Sequence, residues 1–356
     1  MAKQYKNHYD NTRLINSLDA DGNRPAFYIV CSRERGPGKT FSFAKLLYNN
    51  FVNDGSKFIL LTRNQGDLGD IAPGVFDGFL QVEHPDVSVE EKIQMKGVFS
   101  RIYMVKGTGD KITKDECGYV IPLRAADAIK KISSLFYDAT AFYFDEFQPT
   151  SKSSYLKDEL DLLYSIYKSV ARGNGSAIRY MPVYMASNTI SLGNPYFSGL
   201  NLNGAIQSNT KFYKGHGVVF ENCQVSGLAE AHKSSAIDIA MAKHLLQRGD
   251  NTWLNDDGTL VEKPTNWGRG IYICTLLYNS QSLGVYEYLD VDRIYISRTY
   301  DKNSKYVYAL TLENGALNYP VLRVTPYLDT LKQSFFKGKV RVQDSGLQSM
   351  LMDVFG

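Results

Sequence analysis

Cys31-Ser32-Arg33-Glu34-Arg35-Gly36-Pro37-Gly38-Lys39-Thr40 lies between an apolar run, Ala26-Phe27-Tyr28-Ile29-Val30, and a helical pattern from Phe41 to Leu47. The order is strand, tight Gly-rich loop, helix. A Lys-Thr pair opening such a helix is built to hold phosphate. Backbone N–H groups at a helix N-terminus point at the anion, and the helix dipole favours it there. Lys39 is placed to reach the β- and γ-phosphates of ATP, and the Thr40 hydroxyl to ligate Mg²⁺. The expected nucleotide-binding stretch is Arg35, Gly36, Pro37, Gly38, Lys39, Thr40 and Phe41.

The pattern G-x-x-x-x-G-K-[ST] is matched except at its first glycine, where Arg33 stands. A basic turn capping an ordinary helix would read the same way. A second segment separates the two readings. Ala141-Phe142-Tyr143-Phe144-Asp145-Glu146 is a short apolar run ending in two carboxylates. Buried parallel strands read as such runs, and α/β sheets place ligands at their carboxyl ends. Asp145 is then the residue that holds hydrated Mg²⁺, and Glu146 the general base that polarises the attacking water. For this segment alone, a strand ending in a solvated acidic turn reads equally well. Together the two segments point to an ATP-hydrolysing P-loop domain.

With 356 residues the chain has room for two domains. The net charge of +3 is nearly balanced, so nucleic-acid binding cannot be argued from it and would rest on local patches. The 25 tyrosines and 18 phenylalanines read mainly as core or interface. Cys31, Cys117, Cys223 and Cys274 form no C-x-x-C pair, so neither a zinc knuckle nor a disulfide framework is expected. A reducing compartment fits. No apolar signal region opens the chain, and no run reaches the roughly 18 apolar residues needed to cross a bilayer. The expectation is a protein neither secreted nor in a membrane.

Strands and helices alternate over the first 200 or so residues. Strands are expected at Phe58–Leu61, Val98–Val105, Tyr119–Leu123, Met181–Asn188 and Val218–Val225, and an amphipathic helix over Leu156–Val170. That alternation implies a mostly parallel, doubly wound α/β sheet. A helix is expected over Ser226–Gln247, then a loop-rich passage. Beyond it, strands at Ile271–Tyr278, Ser282–Leu289 and Arg293–Ser297 suggest an antiparallel meander, and Tyr306–Leu312 reads as a fourth strand. Helices around Pro326–Phe336 and Gln343–Phe355 close a smaller α+β part.

Asn188, at a strand end, could contact the γ-phosphate or report its loss; a strand-end cap is the plainer alternative. Arg172 follows the amphipathic helix on a Gly-rich loop, suited to reach a neighbouring subunit's γ-phosphate, or simply solvated. Lys130 and Lys131 could act in trans, line a DNA channel, or be solvated surface. Arg33 could contact phosphate, a neighbour or an acidic residue. Arg63, at a strand end, could contact nucleotide or DNA.

These residues resemble the DNA-packaging ATPases of small, protein-primed, short-tailed bacteriophages, compact relatives of terminase large subunits. The carriers are Arg35–Thr40, Val120-Ile121-Pro122-Leu123, Phe144-Asp145-Glu146-Phe147, and Ser187-Asn188 followed by Asn194-Pro195-Tyr196-Phe197. Tyr278-Asn279-Ser280 with Leu283-Gly284-Val285, and Ser334-Phe335-Phe336-Lys337-Gly338, are similar too. The resemblance implies an ASCE-type P-loop NTPase domain over 1–226, a helical linker over 227–260 and a ribonuclease-H-like docking domain over 261–356. It implies a motor driving double-stranded DNA through a portal, or connector, into a procapsid. The motor would be a homo-oligomeric, pentameric ring with ATP and Mg²⁺ at subunit interfaces, in some members docked through a structural RNA. It would work in the host cell cytoplasm, transiently at the portal vertex. Arg172 takes the place of the family's trans-acting arginine and Lys131 that of its trans-acting lysine, with Lys130 left open. Active nucleases of this kind need an Asp on the first strand of the last domain; Ile271–Leu277 has none, and no DNA cleavage is expected. Two other readings remain: a different P-loop machine such as a helicase or assembly ATPase, and a non-catalytic docking protein that binds nucleotide without turnover.

Overall fold

The computed structural model describes residues 8–33, 36–107, 112–149, 155–172, 178–190, 192, 194–202, 205–206, 210–225, 240, 260–278, 281–310, 326–336 and 339–355. The chain forms two compact units, Met1–Thr189 with Thr210–Ala242, and Ile190–Asn209 with Lys243–Gly356. The helix expected over Ser226–Gln247 and the linker over 227–260 lie outside the described residues, apart from Ala240 and Leu260.

The first unit is built on a nine-stranded sheet. Its strands are β1 (Phe27–Ser32), β2 (Lys57–Thr62), β3 (Val87–Gln94), β4 (Phe99–Lys106), β5 (Thr113–Pro122), β6 (Ala139–Asp145), β7 (Val183–Asn188), β8 (Phe212–Gly215) and β9 (Val218–Asn222). Their order is β3-β4-β5-β2-β6-β7-β1-β9-β8. The six strands from β5 to β9 run parallel. The edge strands β3, β4 and β8 pair antiparallel. β7 lies between β1, which leads into the phosphate loop, and β6, which ends in Asp145. That inserted strand is what the ASCE division is defined by.

Helices cover both faces. α1 (Thr12–Ile15) is a single turn; α2 (Lys39–Asp54), α3 (Ile71–Glu83), α4 (Ala126–Ile132) and α5 (Glu159–Val170) are the covering elements. Neighbouring residues of β6 show the two faces: Tyr143 stacks on Phe43 of α2 at 5.2 Å, and Phe142 meets Tyr167 of α5 at 5.6 Å. α2 buries Phe43, Ala44, Leu47 and Tyr48, a stripe at helical spacing. Burying such side chains is worth roughly 1.5–3 kcal/mol for each large one. The helix stops at Gly55, whose φ of 75° lets its N–H close back on the Phe51 carbonyl.

The second unit holds α6 (Pro195–Gly199) and a five-stranded sheet of β10 (Ile271–Tyr278), β11 (Gln281–Tyr288), β12 (Arg293–Ser297), β13 (Val307–Ala309) and β14 (Val340–Val342). β10, β11 and β12 form the antiparallel meander, and β13 joins β10 in parallel. This is the direction pattern of a ribonuclease-H-like sheet, with β14 added beside β12. The fourth expected strand, around Tyr306–Leu312, forms as β13 and pairs parallel to β10. Helices α7 (Pro326–Phe336) and α8 (Ser345–Phe355) follow. Leu328 and Leu331 of α7 and Leu347 and Leu351 of α8 join Leu276 and Val285 in one core. The Asn-Pro-Tyr-Phe run is a local helix start: Asn194 Oδ1 accepts from the Phe197 N–H at 2.9 Å, with Pro195 in the first turn.

Gly118 of β5 lies opposite Phe58 of β2, where an added Cβ would run into the Phe58 carbonyl and ring. Gly118→Ala is expected to destabilise the first unit by about 1–3 kcal/mol. The helical control Gly78→Ala, with open space around it, should be neutral or slightly stabilising. Urea unfolding of the two variants checks this.

Candidate nucleotide site

The carboxyl ends of β1, β7 and β6 meet at the first turn of α2. Gly36 and Gly38 take φ of 80° and 91°, a left-handed path open to glycine and strained for other residues. The path turns the chain into the helix so that Lys39 and Thr40 form its first residues. Lys39 Nζ donates to Ser32 Oγ at 2.5 Å and to Asn188 Oδ1 at 3.2 Å. Thr40 Oγ1 donates to Asp145 Oδ2 at 2.8 Å. Lys39, Thr40, Asp145 and Asn188, all read from sequence, therefore converge. Ser32, inside the quoted loop, is a contact the reading did not single out.

The electrostatics suit a bound anion and cation together. Burial lowers the Lys39 pKa, while the thiols of Cys223 and Cys31 and the carboxylates of Asp145 and Glu146 pull it back. Asp145 is raised by burial and by the Glu146 charge, against hydrogen bonds from Thr40 and others. Tyr143 Oη is buried beside this pair. Mg²⁺ takes one or two protein oxygens together with substrate phosphates and waters. A hydroxyl facing a carboxylate that is costly to leave charged fits that demand.

Glu146 is exposed and sits at φ 50°, a conformation that side-chain-bearing residues rarely adopt. Arg63, at the end of β2, holds it there. Arg63 Nη1 donates to the Glu146 carbonyl at 3.0 Å and Nη2 to that of Phe147. The same guanidinium pairs with Glu159 at 2.9 Å, a carboxylate whose side chain is 0% exposed. Arg63 was read as a nucleotide or DNA contact; its described bonds go to the backbone behind Glu146. Buried Glu159 carries no sequence signal, since it opens an amphipathic helix as acidic residues commonly do. A cavity of about 360 Å³ lies between the ends of β2 and β6, lined by Arg63, Asn64, Asp67, Asp145 and Glu146 among others.

The chain before β1 straps the loop. The Tyr9 N–H donates to the Pro37 carbonyl at 2.7 Å, and Asn11 bonds Ser42 through both its N–H and its amide. His8 stacks on Phe41 at 5.4 Å, and Phe41 meets Phe79 edge-on. Phe41 thus serves packing. Arg35 lies outside the described residues; Arg33 is exposed. Arg172 and Lys130 line a second cavity of about 360 Å³, and Lys131 is exposed and not among its lining residues.

Fold and site define a P-loop NTPase domain of the ASCE division joined to a smaller ribonuclease-H-like unit. The chain belongs to the family of the podovirus DNA encapsidation protein (Gp16), whose model matches residues 11–356, and its function is the packaging of viral DNA. It is 25% identical over 329 residues to the DNA packaging protein of Bacillus phage B103, covering 90% of this chain and 94% of that one. Its fold is similar to a chain of the bacteriophage Phi-29 viral genome packaging motor assembly, with a TM-score of 0.66, 20% identity and 98% of each chain covered. It is also similar to the Phi-28 gp11 DNA packaging motor, with a TM-score of 0.57, 17% identity, and coverage of 98% and 97%.

A carboxyl raised by burial binds its proton more tightly folded than unfolded, so ionising it costs stability. For Asp145 that penalty sets in as pH rises above the unfolded value of about 3.9 and is complete above the raised folded value. Asp145→Asn is therefore expected to raise the melting temperature of the nucleotide-free protein at pH 7. It should also remove the extra stabilisation that Mg²⁺ adds to ATP. Thermal melts with and without Mg·ATP read both effects.

Proposed function

We propose that this chain hydrolyses ATP as one subunit of a ring motor that translocates double-stranded DNA through a portal into a procapsid. The observation that carries the proposal is the Thr40–Asp145 contact beside a lysine held by two strand ends. In this reading the backbone N–H groups from Gly36 to Thr40 cradle the phosphates. Lys39 exchanges its bonds to Ser32 and Asn188 for bonds to the β- and γ-phosphates. Thr40 and Asp145 hold Mg²⁺, which supplies positive charge to the phosphates during transfer. Glu146 takes the proton of the attacking water, in line with the γ-phosphate. Asn188, released from Lys39, senses whether the γ-phosphate is present.

Arg172 completes the site of a neighbour, a role worth about 10³–10⁵ in rate where it is met. Its placement beside Lys130 in one cavity favours Lys130 over Lys131 as the second trans-acting cation. The domain division we propose is an ATPase domain over 1–226, a linker over 227–260 and a portal-docking domain over 261–356. The ring is pentameric, with an RNA as a further docking partner. The docking domain has no nuclease activity. β10 carries no carboxylate, Asp290 lies in the turn Leu289–Val291, and Asp292 just after it pairs with Lys339 at 2.5 Å.

Glu146→Gln is expected to keep ATP binding and lose hydrolysis by about 10²–10⁴-fold, the usual contribution of a general base. Fluorescent-nucleotide titration and phosphate release in the presence of DNA read the two separately. Turnover near that of the unaltered protein would remove Glu146 as the base.

A further inference from the structure

The cavity beside Arg172 is lined by Lys130 and Ser133 from the α4 side and by Tyr164, Ser165, Lys168, Ser169 and Arg172 from the α5 side. The α5 residues recur at helical spacing and make one stripe that runs past the end of the helix. The negative end of the helix dipole lies here, so an unmodified helix end would repel an anion. Three cations reverse that sign. Lys130 pairs with Asp127 at 3.0 Å, but both groups are exposed, and such pairs are worth only about 0–1 kcal/mol. Among the described residues neither Lys168 nor Arg172 pairs with a carboxylate. Lys168 Nζ instead lies over the ring of Tyr164 at 5.2 Å, which restricts the ammonium without neutralising it. Ser165 Oγ is enclosed and has no hydrogen-bond partner.

We infer that Lys168, with Lys130 and Arg172, forms an anion groove that receives the terminal phosphates of ATP held by a neighbouring copy of this chain. This rests on the trans-acting role proposed for Arg172 and adds Lys168 as a third cationic ligand. Duplex DNA is gripped by charges strung along its backbone. Here the charges converge in one hollow, which suits a phosphate cluster better than a strand.

The test uses an assembled motor made from the unaltered chain and a tagged Lys39→Ala chain that cannot hold its own nucleotide. The probe is ATP carrying a photoreactive azidoanilide on its γ-phosphate. Label is expected on the tagged chain, in the peptide spanning Lys168, and should fall severalfold when Lys168→Ala is added to that chain. In the all-Lys168→Ala motor, turnover should drop about tenfold or more, the effect of losing one charge-assisted hydrogen bond in the transition state. ATP affinity of the isolated subunit should be unchanged, which also reports correct folding. Lys168→Arg should restore most of the turnover. Label on the tagged chain that Lys168→Ala leaves undiminished would overturn the role of Lys168 and leave Arg172 in trans. No label on the tagged chain would overturn both. Unchanged labelling with a loss of salt-sensitive DNA binding would make the groove a DNA contact instead.

Discussion

The ammonium of Lys39 is held by the ends of two adjacent strands, Ser32 of β1 and Asn188 of β7, and this contact requires β7 to lie beside β1. β6 is then two strands away from the loop that precedes Lys39, or roughly 10 Å at the usual spacing. Only the start of α2, crossing above β7, can bridge that gap, and Thr40 does so by reaching Asp145. The crossing is fixed from below. Phe43 packs on Tyr143 of β6 and on Tyr184 of β7, one turn beyond Lys39 and Thr40. Core aromatics thus set the separation between the Lys39 ammonium and the Thr40–Asp145 pair. Buried Lys39 and Asp145 each carry a desolvation penalty, of opposite effect on their pKa values. A ligand bringing negative and positive charge together relieves both.

Glu146 obeys a different constraint. Its side chain is exposed, while its backbone is strained and anchored. The strain, of order 1–3 kcal/mol, persists because Arg63 ties two successive carbonyls and is itself neutralised by Glu159. Removing either partner would strand a buried charge, which costs more than the strain it secures. Glu159 also accepts the Leu156 N–H at 2.8 Å, so the start of α5 is tied to the backbone of Glu146. α5 is the helix that carries Lys168 and leads to Arg172. A change in the geometry of Glu146 therefore has a covalent and hydrogen-bonded route to the far end of α5.

Much of this was legible in the sequence because parallel strands buried on both faces are continuous apolar runs. β1, β2, β6 and β7 are such runs, and each ends where a polar residue must emerge. β3 was not legible: Val-Ser-Val-Glu-Glu-Lys-Ile-Gln is an edge strand, polar because most of it faces solvent. α3 was hidden by Pro73, Gly74 and Gly78, which lower its propensity. It forms because Val75, Phe76, Phe79 and Leu80 are buried and because Glu91, from β3, accepts the N–H groups of Gly69 and Ala72. Those bonds span about twenty residues, and no local pattern announces them. Spacing alone does not say that β7 inserts between β1 and β6. Arg63 was flagged by its position at a strand end, but its partner Glu159 is 96 residues away, and a buried acid looks the same as a solvated one in a helix's first turn.

In the smaller unit the scaffold is specified independently of any reaction. Its meander is specified by alternation: Cys274, Leu276, Leu283, Val285, Ile294 and Ile296 face one core. None of those positions depends on a carboxylate. Two-metal cleavage, by contrast, needs several acids converging on one point. On β10 the polar residue at the centre is Thr275, bonded to Tyr272 at 2.5 Å. Asp290 lies against Gly268, where no side chain would fit, and Asp292 is drawn to Lys339. These two acids are occupied at a turn. Apolar periodicity can hold this sheet together with no carboxylate on β10, so the fold by itself does not specify a reaction.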